Sequence, residues 1–324
     1  MSLTTIDAAL LGTQAQYTGM KSRIINGAMV IDQRNLGASQ SITVAGGNTY
    51  TVDRWFAIAS GATITGQQVA GSGNNQFNYR FTGAASVTGI TFIQRIEQKN
   101  CYDLAGQTAT LSVNFANSVL TTVTWTAKYA GSADNWLVAD TTIASGTFTV
   151  SSTLTNFSTQ ISIPAAATTG LQVIFSVGAQ TSGTWTIGQV QLEKGSTATS
   201  FDYRPYGTEL ALCQRYTLVD SNTSQPYRPF GNGTCANTTQ AYVVRQLPVV
   251  MRATPSVTAS ASNVFLADVG GVANTTTAVT DNGFGSPSLV RVNVTASGFV
   301  AGQSLVLVSD GNSGLRTIIY SAEL

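Results

Sequence analysis

The 324-residue sequence contains no histidine. That removes the commonest general base and the commonest zinc ligand together, and with them any Ser-His-Asp or Cys-His nucleophile arrangement. Charge is scarce too. Asp, Glu, Lys and Arg supply 10% of the chain and balance to a net charge of +1, against roughly 25% charged residues in ordinary soluble domains. No run of Lys or Arg is present, so a nucleic-acid partner is not expected. No apolar stretch approaches the roughly 18 residues of a spanning helix, so membrane insertion is not expected either. Met1 to Leu11 carry no basic region and are broken by Thr4, Thr5 and Asp7, which argues against a secretory signal. Cys101, Cys213 and Cys235 lack the short spacing of a zinc site. Two readings are open for them: buried thiols in a protein made in the cytoplasm, or a Cys213–Cys235 disulfide.

What is present is strand-forming. Hydrophobic residues make up 43% of the chain, too many for a disordered polymer. Thr, Ser, Gly, Asn and Gln take the place of charge, and β-branched residues favour strands. Alternating segments recur between Gly and Asn turns. Ser41–Val44 and Tyr50–Val52 flank Ala45-Gly46-Gly47-Asn48 as a hairpin signal. Further strands are expected at Phe77–Phe81, Thr91–Glu97, Thr108–Phe115, Val123–Ala130, Phe157–Ile163, Leu171–Val177 and Thr184–Glu193. In a sandwich, Leu111, Val113 and Phe115 would face inward. Pro226–Gly233 reads as a loop, followed by strands at 241–250, 256–261, 264–269, 289–295 and 305–309. The fold class expected is all-β: a β-sandwich over 23–205 and a second, smaller β-sandwich over 206–324. Thr317–Leu324 is an apolar strand. As an edge strand, Ile318, Ile319 and Tyr320 would invite pairing with a neighbouring copy; alternatively they complete the second sandwich within one chain.

Residues 1–22 form a short N-terminal leader. Leu3, Ile6, Leu10 and Leu11 fall near helical spacing, and one or two turns are not stable alone. The leader is read as a docking element for a partner surface, with a frayed terminus as the alternative.

Chemistry-bearing constellations are few. A glycosidase needs two carboxylates across a cleft, and Glu97, Asp103, Asp134, Asp140, Glu193 and Asp202 form no pair by spacing. No catalytic, cofactor-binding or metal-binding residue is expected, and no cofactor. The oxygen-rich stretches Asp134-Asn135 and Asp281-Asn282-Gly283 suit turns better than calcium loops. Trp55, Trp125 and Trp185 read as core. Trp136 differs: it follows a loop, with Asp134 and Asn135 beside it. Its ring could stack on a sugar while those side chains meet hydroxyls, or it could pack beneath its own loop. Asp32-Gln33-Arg34, Asp53-Arg54-Trp55 and Asp202-Tyr203-Arg204 each set an acid near an arginine, as ion pairs fixing sheet edges or subunit contacts would.

Several longer words carry a resemblance. Gln191-Leu192-Glu193-Lys194-Gly195-Ser196-Thr197-Ala198-Thr199-Ser200-Phe201-Asp202-Tyr203-Arg204-Pro205 resembles the closing segment of carbohydrate-binding-type jelly-roll modules in bacteriophage tail fibres and related virion proteins. Ile25–Asn35, Tyr50–Trp55, Asp103–Thr108, Leu212–Tyr216 and Pro248–Pro255 are similar to the same modules. The resemblance implies a jelly-roll for 23–205 and a non-enzymatic role as a fibre or receptor-binding adhesin contacting host-surface glycan. A capsid decoration or neck-fibre protein with a structural role is the alternative. It further implies a homotrimer placed in the virion after synthesis in the bacterial cytoplasm. Its partners would be other virion proteins, through the N-terminus, and host-surface polysaccharide.

Overall fold

The computed structural model describes residues 20–44, 47–72, 75–223, 225–261, 265–312 and 314–324. Leu3, Ile6, Leu10 and Leu11 of the expected docking leader lie outside them. The chain divides into two compact units. The first runs to Leu210 and takes in Leu324; the second is Ala211–Glu323. The division falls inside the helix Tyr206–Gln214, near the 205/206 boundary read from sequence.

Among the described residues, the strands of the first unit are β1 (Gln40–Ile42), β2 (Thr49–Tyr50), β3 (Phe56–Ser60), β4 (Ile64–Ala70), β5 (Phe77–Thr82) and β6 (Gly89–Ile96). They continue with β7 (Thr108–Asn117), β8 (Thr122–Tyr129), β9 (Thr141–Thr149), β10 (Thr155–Ser162), β11 (Leu171–Val177) and β12 (Thr184–Lys194). They form two six-stranded sheets, ordered β1-β4-β5-β12-β7-β10 and β2-β3-β6-β11-β8-β9. The described pairings are antiparallel, and the unit is a jelly-roll β-sandwich. Period-2 alternation turns Leu111, Val113 and Phe115 inward, where all three are buried.

The inner faces meet through rings. Phe92 of β6 stacks on Trp55 at 4.6 Å and on Tyr79 of the opposite sheet at 5.6 Å, and meets Phe81 edge-on at 5.3 Å. Phe115 and Phe175 make a second cross-sheet pair at 5.0 Å. Such offset and edge-on contacts add to the area each ring buries.

The second unit contains β13 (Thr217–Ser221), β14 (Pro229–Cys235), β15 (Gln240–Gln246), β16 (Ser256–Ala259), β17 (Phe265–Val269), β18 (Val272–Thr275), β19 (Ala278–Ser286), β20 (Leu289–Thr295), β21 (Ser304–Ser309) and β22 (Thr317–Ser321). Hydrogen bonds join them in one 10-stranded sheet, ordered β13-β22-β16-β19-β20-β15-β14-β21-β17-β18. Leu218, Val257, Val292, Leu307 and Phe265, from strands across that order, share one core. A flat sheet so wide would leave its apolar face in water. A single core requires it to curl on itself, so that its halves face each other as the layers of a sandwich do.

Several local expectations are corrected. Ile42 and Tyr50 do not form a hairpin: β1 pairs with β4 and β2 with β3, in opposite sheets. Pro229–Cys235 is a strand rather than a loop, with proline at its first residue, the place where a missing N–H is tolerated. Asp281–Gly283 lies within β19, at a bulge between Asp281 and Gly285. β22 is not an edge: it pairs with β13 on one side and β16 on the other, and Ile318 and Tyr320 are buried in the unit's own core. The terminal strand therefore completes the unit within one chain and offers no ladder to a neighbour.

Cys101, Cys213 and Cys235 are buried thiols, none in a disulfide. Burial pushes the Cys101 thiol up to about 12 and raises that of Cys235. Since the thiolate is the reactive form, a colorimetric thiol reagent at pH 8 should find essentially no reactive cysteine in native protein and all three in denaturant. Stoichiometric labelling of the native chain would contradict the burial described.

Candidate functional site

Two neighbouring segments close the first unit. Glu193, buried, accepts from the Thr199 N–H at 2.8 Å, the Thr199 hydroxyl at 2.6 Å and Gln191 Nε2 at 2.9 Å. Gln191 Oε1 in turn accepts from the Asp202 N–H at 2.8 Å. Arg204 donates to the carbonyls of Ser22 and Ile24 and pairs with Glu209 at 3.3 Å, and Glu209 also accepts from the Asn26 N–H. Residues 199–209 thus clasp residues 21–26. A Cβ on Gly27 would stand 2.0 Å from the Val190 carbonyl oxygen, so glycine is required where this segment crosses β12.

The acid–arginine words also engage backbone groups. Asp32 accepts from the N–H groups of Asn35 and Gly37 at 3.2 and 2.8 Å. Asp53 accepts from the Gln33 N–H at 3.0 Å, and Arg54 donates to the Arg95 carbonyl at 2.6 Å. Satisfying buried backbone groups is what such residues commonly do in loops.

The site read from sequence is drawn together as a loop. Asp134 Oδ1 accepts from the Gln98 N–H at 2.7 Å, and Asn135 Oδ1 from the Leu137 N–H at 3.0 Å. Trp136 is half-buried with the Arg95 guanidinium 5.4 Å from its ring centre; the same guanidinium lies 5.0 Å from Phe56. Trp136 thus meets the Arg95 guanidinium, and Asp134 Oδ1 and Asn135 Oδ1 beside it accept from main-chain N–H groups. Of the acids considered for hydrolysis, Asp103 pairs with Arg23 at 2.7 Å and Asp140 with Lys128 at 3.1 Å.

A different arrangement stands out on the outer face of the β1-β4-β5-β12-β7-β10 sheet. Asn156 of β10 donates to Asn114 of β7 at 2.8 Å, Asn114 donates to Gln189 of β12 at 2.6 Å, and Gln189 donates to the Tyr203 hydroxyl. The row crosses three strands and ends on a ring pair, Phe201 and Tyr203, 4.8 Å apart and edge-on. Gln189 holds a left-handed φ of 47° at a bulge between Gly188 and Gln191. Bulges re-aim side chains, and a non-glycine residue in this region carries strain.

Two hollows flank the row. One of about 100 Å³ is lined by Phe201, Tyr203, Tyr206, Val30 and Gln76 among others. The other, about 270 Å³, is lined by Ser72, Asn78, Arg80, Ser118, Leu154 and Thr186 among others. Among the described residues, Arg80 is the one charged residue lining the second hollow. Amides and hydroxyls both donate and accept, and rings present faces for apolar C–H surface; the arrangement suits a neutral polyhydroxylated ligand. Among the described residues, no group of three His, Cys, Asp or Glu is placed to hold a metal ion. Sequence reading missed Asn114, Asn156 and Gln189. The outward set of β7 was implied by its inward set, and Gly188 inside the strand was the one sign of the bulge.

No family model matches the chain, and no curated protein matches it. Solved structures are similar to about half of it. A CBM4 structure is similar over 52% of this chain and 98% of its own, at 18% identity and a TM-score of 0.35. A family 11 carbohydrate-binding module from Clostridium thermocellum, in complex with a β-1,3-1,4-mixed-linked tetrasaccharide, is similar over 49% of this chain and 98% of its own, at 12% identity and a TM-score of 0.33. The enzymatically active domain of tailspike protein 4 from bacteriophage CBA120 is similar over 54% of this chain and 22% of its own, at 13% identity and a TM-score of 0.34.

Proposed function

We propose that the protein is a bacteriophage virion fibre or receptor-binding protein whose first unit binds a neutral host-surface glycan without cutting it. Its copies form a homotrimer, and the leader over 1–22 joins it to other virion proteins. The observation that carries the glycan reading is the strained Gln189, whose amide links Asn114 to Tyr203 across an outer sheet face beside two hollows. The virion placement is supported by the words resembling phage modules. The trimer is supported by that resemblance and by the low charge of a surface that lacks the usual device against association.

Gln189→Gly is the informative variant. Glycine accepts the left-handed backbone at no steric cost, so stability should hold or rise while the amide is lost. Losing one or two hydrogen bonds to ligand, at about 1 to 1.5 kcal/mol in total, should weaken binding of host-surface polysaccharide roughly tenfold, read by isothermal titration calorimetry. Tyr203→Ala should weaken it at least as much. Wild-type protein that binds no host polysaccharide at millimolar sugar would sink the glycan reading and leave a structural appendage. New reducing ends appearing in that polysaccharide would overturn the non-enzymatic reading.

A further inference from the structure

Sheet edges carry unpaired N–H and C=O groups and are normally shortened, charged or covered. Most edges here follow that rule. β1 has three residues and β2 two. In the second unit β18 has four, and β13 carries Asp220, paired with Arg228 and Arg245 at 3.4 and 3.1 Å. β9 and β10 do not. They have nine and eight residues, Thr-Thr-Ile-Ala-Ser-Gly-Thr-Phe-Thr and Thr-Asn-Phe-Ser-Thr-Gln-Ile-Ser, without a charge or a proline. Each is the outermost strand of its sheet. Both lie on the same side of the sandwich, with the Phe148 and Phe157 rings 5.3 Å apart between them. β9 has one bulge, opposite Ala127 and Lys128, and is regular from Ala144 onward.

The direction of the free groups follows from the register. Ile163 N–H donates to the Gln107 carbonyl, and Val150 N–H to the Thr121 carbonyl. In an antiparallel ladder, bonded pairs alternate with non-bonded ones. Counting back along the pairing of β10 with β7, the main-chain groups of Asn156, Ser158 and Gln160 point away from β7. Along β9 the outward set is Ser145, Thr147 and Thr149.

We propose that copies of this chain join through these edges, β10 of one copy pairing antiparallel with β9 of the next. The strands are consecutive and reverse direction across residues 150–154, one in each sheet. A copy rotated about an axis along the strands therefore brings its β9 beside this β10 in antiparallel sense. The two strands match in length, at about 30 Å, and neither opposes a charge to the other. Every copy then uses both edges, and rotation closes the ring. The inference rests on the self-association in the proposed function and locates it.

Thr147→Pro and Ser158→Pro test it. Each removes an outward N–H that no described strand of the chain pairs with, a placement tolerated in edge strands. Where circular dichroism shows that one fails to fold, Ser145→Pro or Gln160→Pro takes its place on the same outward set. Sedimentation equilibrium of full-length protein should give an oligomer for the wild type and the 33.8 kDa monomer for each variant alone. Mixing the two variants should yield a two-chain species, because one intact β9 and one intact β10 remain. A variant that keeps the wild-type mass overturns the edge pairing while leaving self-association standing. A monomeric wild type across micromolar concentrations overturns both.

Discussion

Phe92→Ala should lower the stability of the first unit by about 3 to 5 kcal/mol, through loss of packing between its two sheets. The ring is fully buried and touches Trp55, Tyr79 and Phe81 at once, so truncation opens a void between the two sheets. Tyr79 and Phe81 come from the opposite sheet, and neither can follow the retreating side chain without breaking its own strand pairing. A domain holding roughly 5 to 15 kcal/mol in total would lose about a fifth of that or more. Urea denaturation followed by tryptophan fluorescence reports on this unit, since Trp55, Trp125, Trp136 and Trp185 all lie in it. Leu137→Ala is the control: that side chain is 99% exposed and its loss should stay within about 0.5 kcal/mol. A Phe92→Ala cost below about 1 kcal/mol would show that the rings do not organise the core.

Arg204→Ala should cost about 3 to 5 kcal/mol by a different route. The Arg204 and Glu209 side chains are 5% and 8% exposed. Removing the guanidinium leaves a buried carboxylate without its cation, and the Ser22 and Ile24 carbonyls without their donor. The double variant Arg204→Met, Glu209→Leu should recover only the part due to the unpaired carboxylate, because the Ser22 and Ile24 carbonyls and the Asn26 N–H stay without partners. Urea midpoints for the two singles and the double give the coupling directly. Additive losses would mean that the pair is not the fastening element. Amide exchange should separate this variant from Phe92→Ala: residues 21–26 lose protection first when the clasp fails, whereas the inner strands do when the core fails.

What could be read from sequence tracks how one-sided each strand's environment is. Thr108–Phe115 declared itself because its inward residues are uniformly apolar. β9 did not, since an edge strand of Thr, Ser and Gly buries little on either face. Pro229–Cys235 passed for a loop on the strength of its glycines, yet a Cβ on Gly233 would stand 2.1 Å from the Tyr242 carbonyl oxygen; the glycine serves close strand approach rather than a turn. Thr184–Glu193 read as one uninterrupted strand. The bulge inside it slips the alternation and creates the row through Gln189; Gly188 marks where a break could fall but not how far the register slips. Trp136 drew notice because loop tryptophans are conspicuous, but the guanidinium of Arg95 that lies over its ring comes from strand β6 and could not be read from spacing.

The clasp has a mechanical consequence. Arg204 meets Ser22 across 182 residues of sequence, so the chain enters and leaves the sandwich at nearly one point. Tension applied between residue 20 and residue 210 would pass directly through that junction and load the hydrogen bonds of Arg204, Glu209 and Lys21. The ladders of both sheets would lie off the line of force until the junction parted. The first unit would behave as a weight hung from a shackle: its sheets could hold a ligand undisturbed while the chain on either side was pulled.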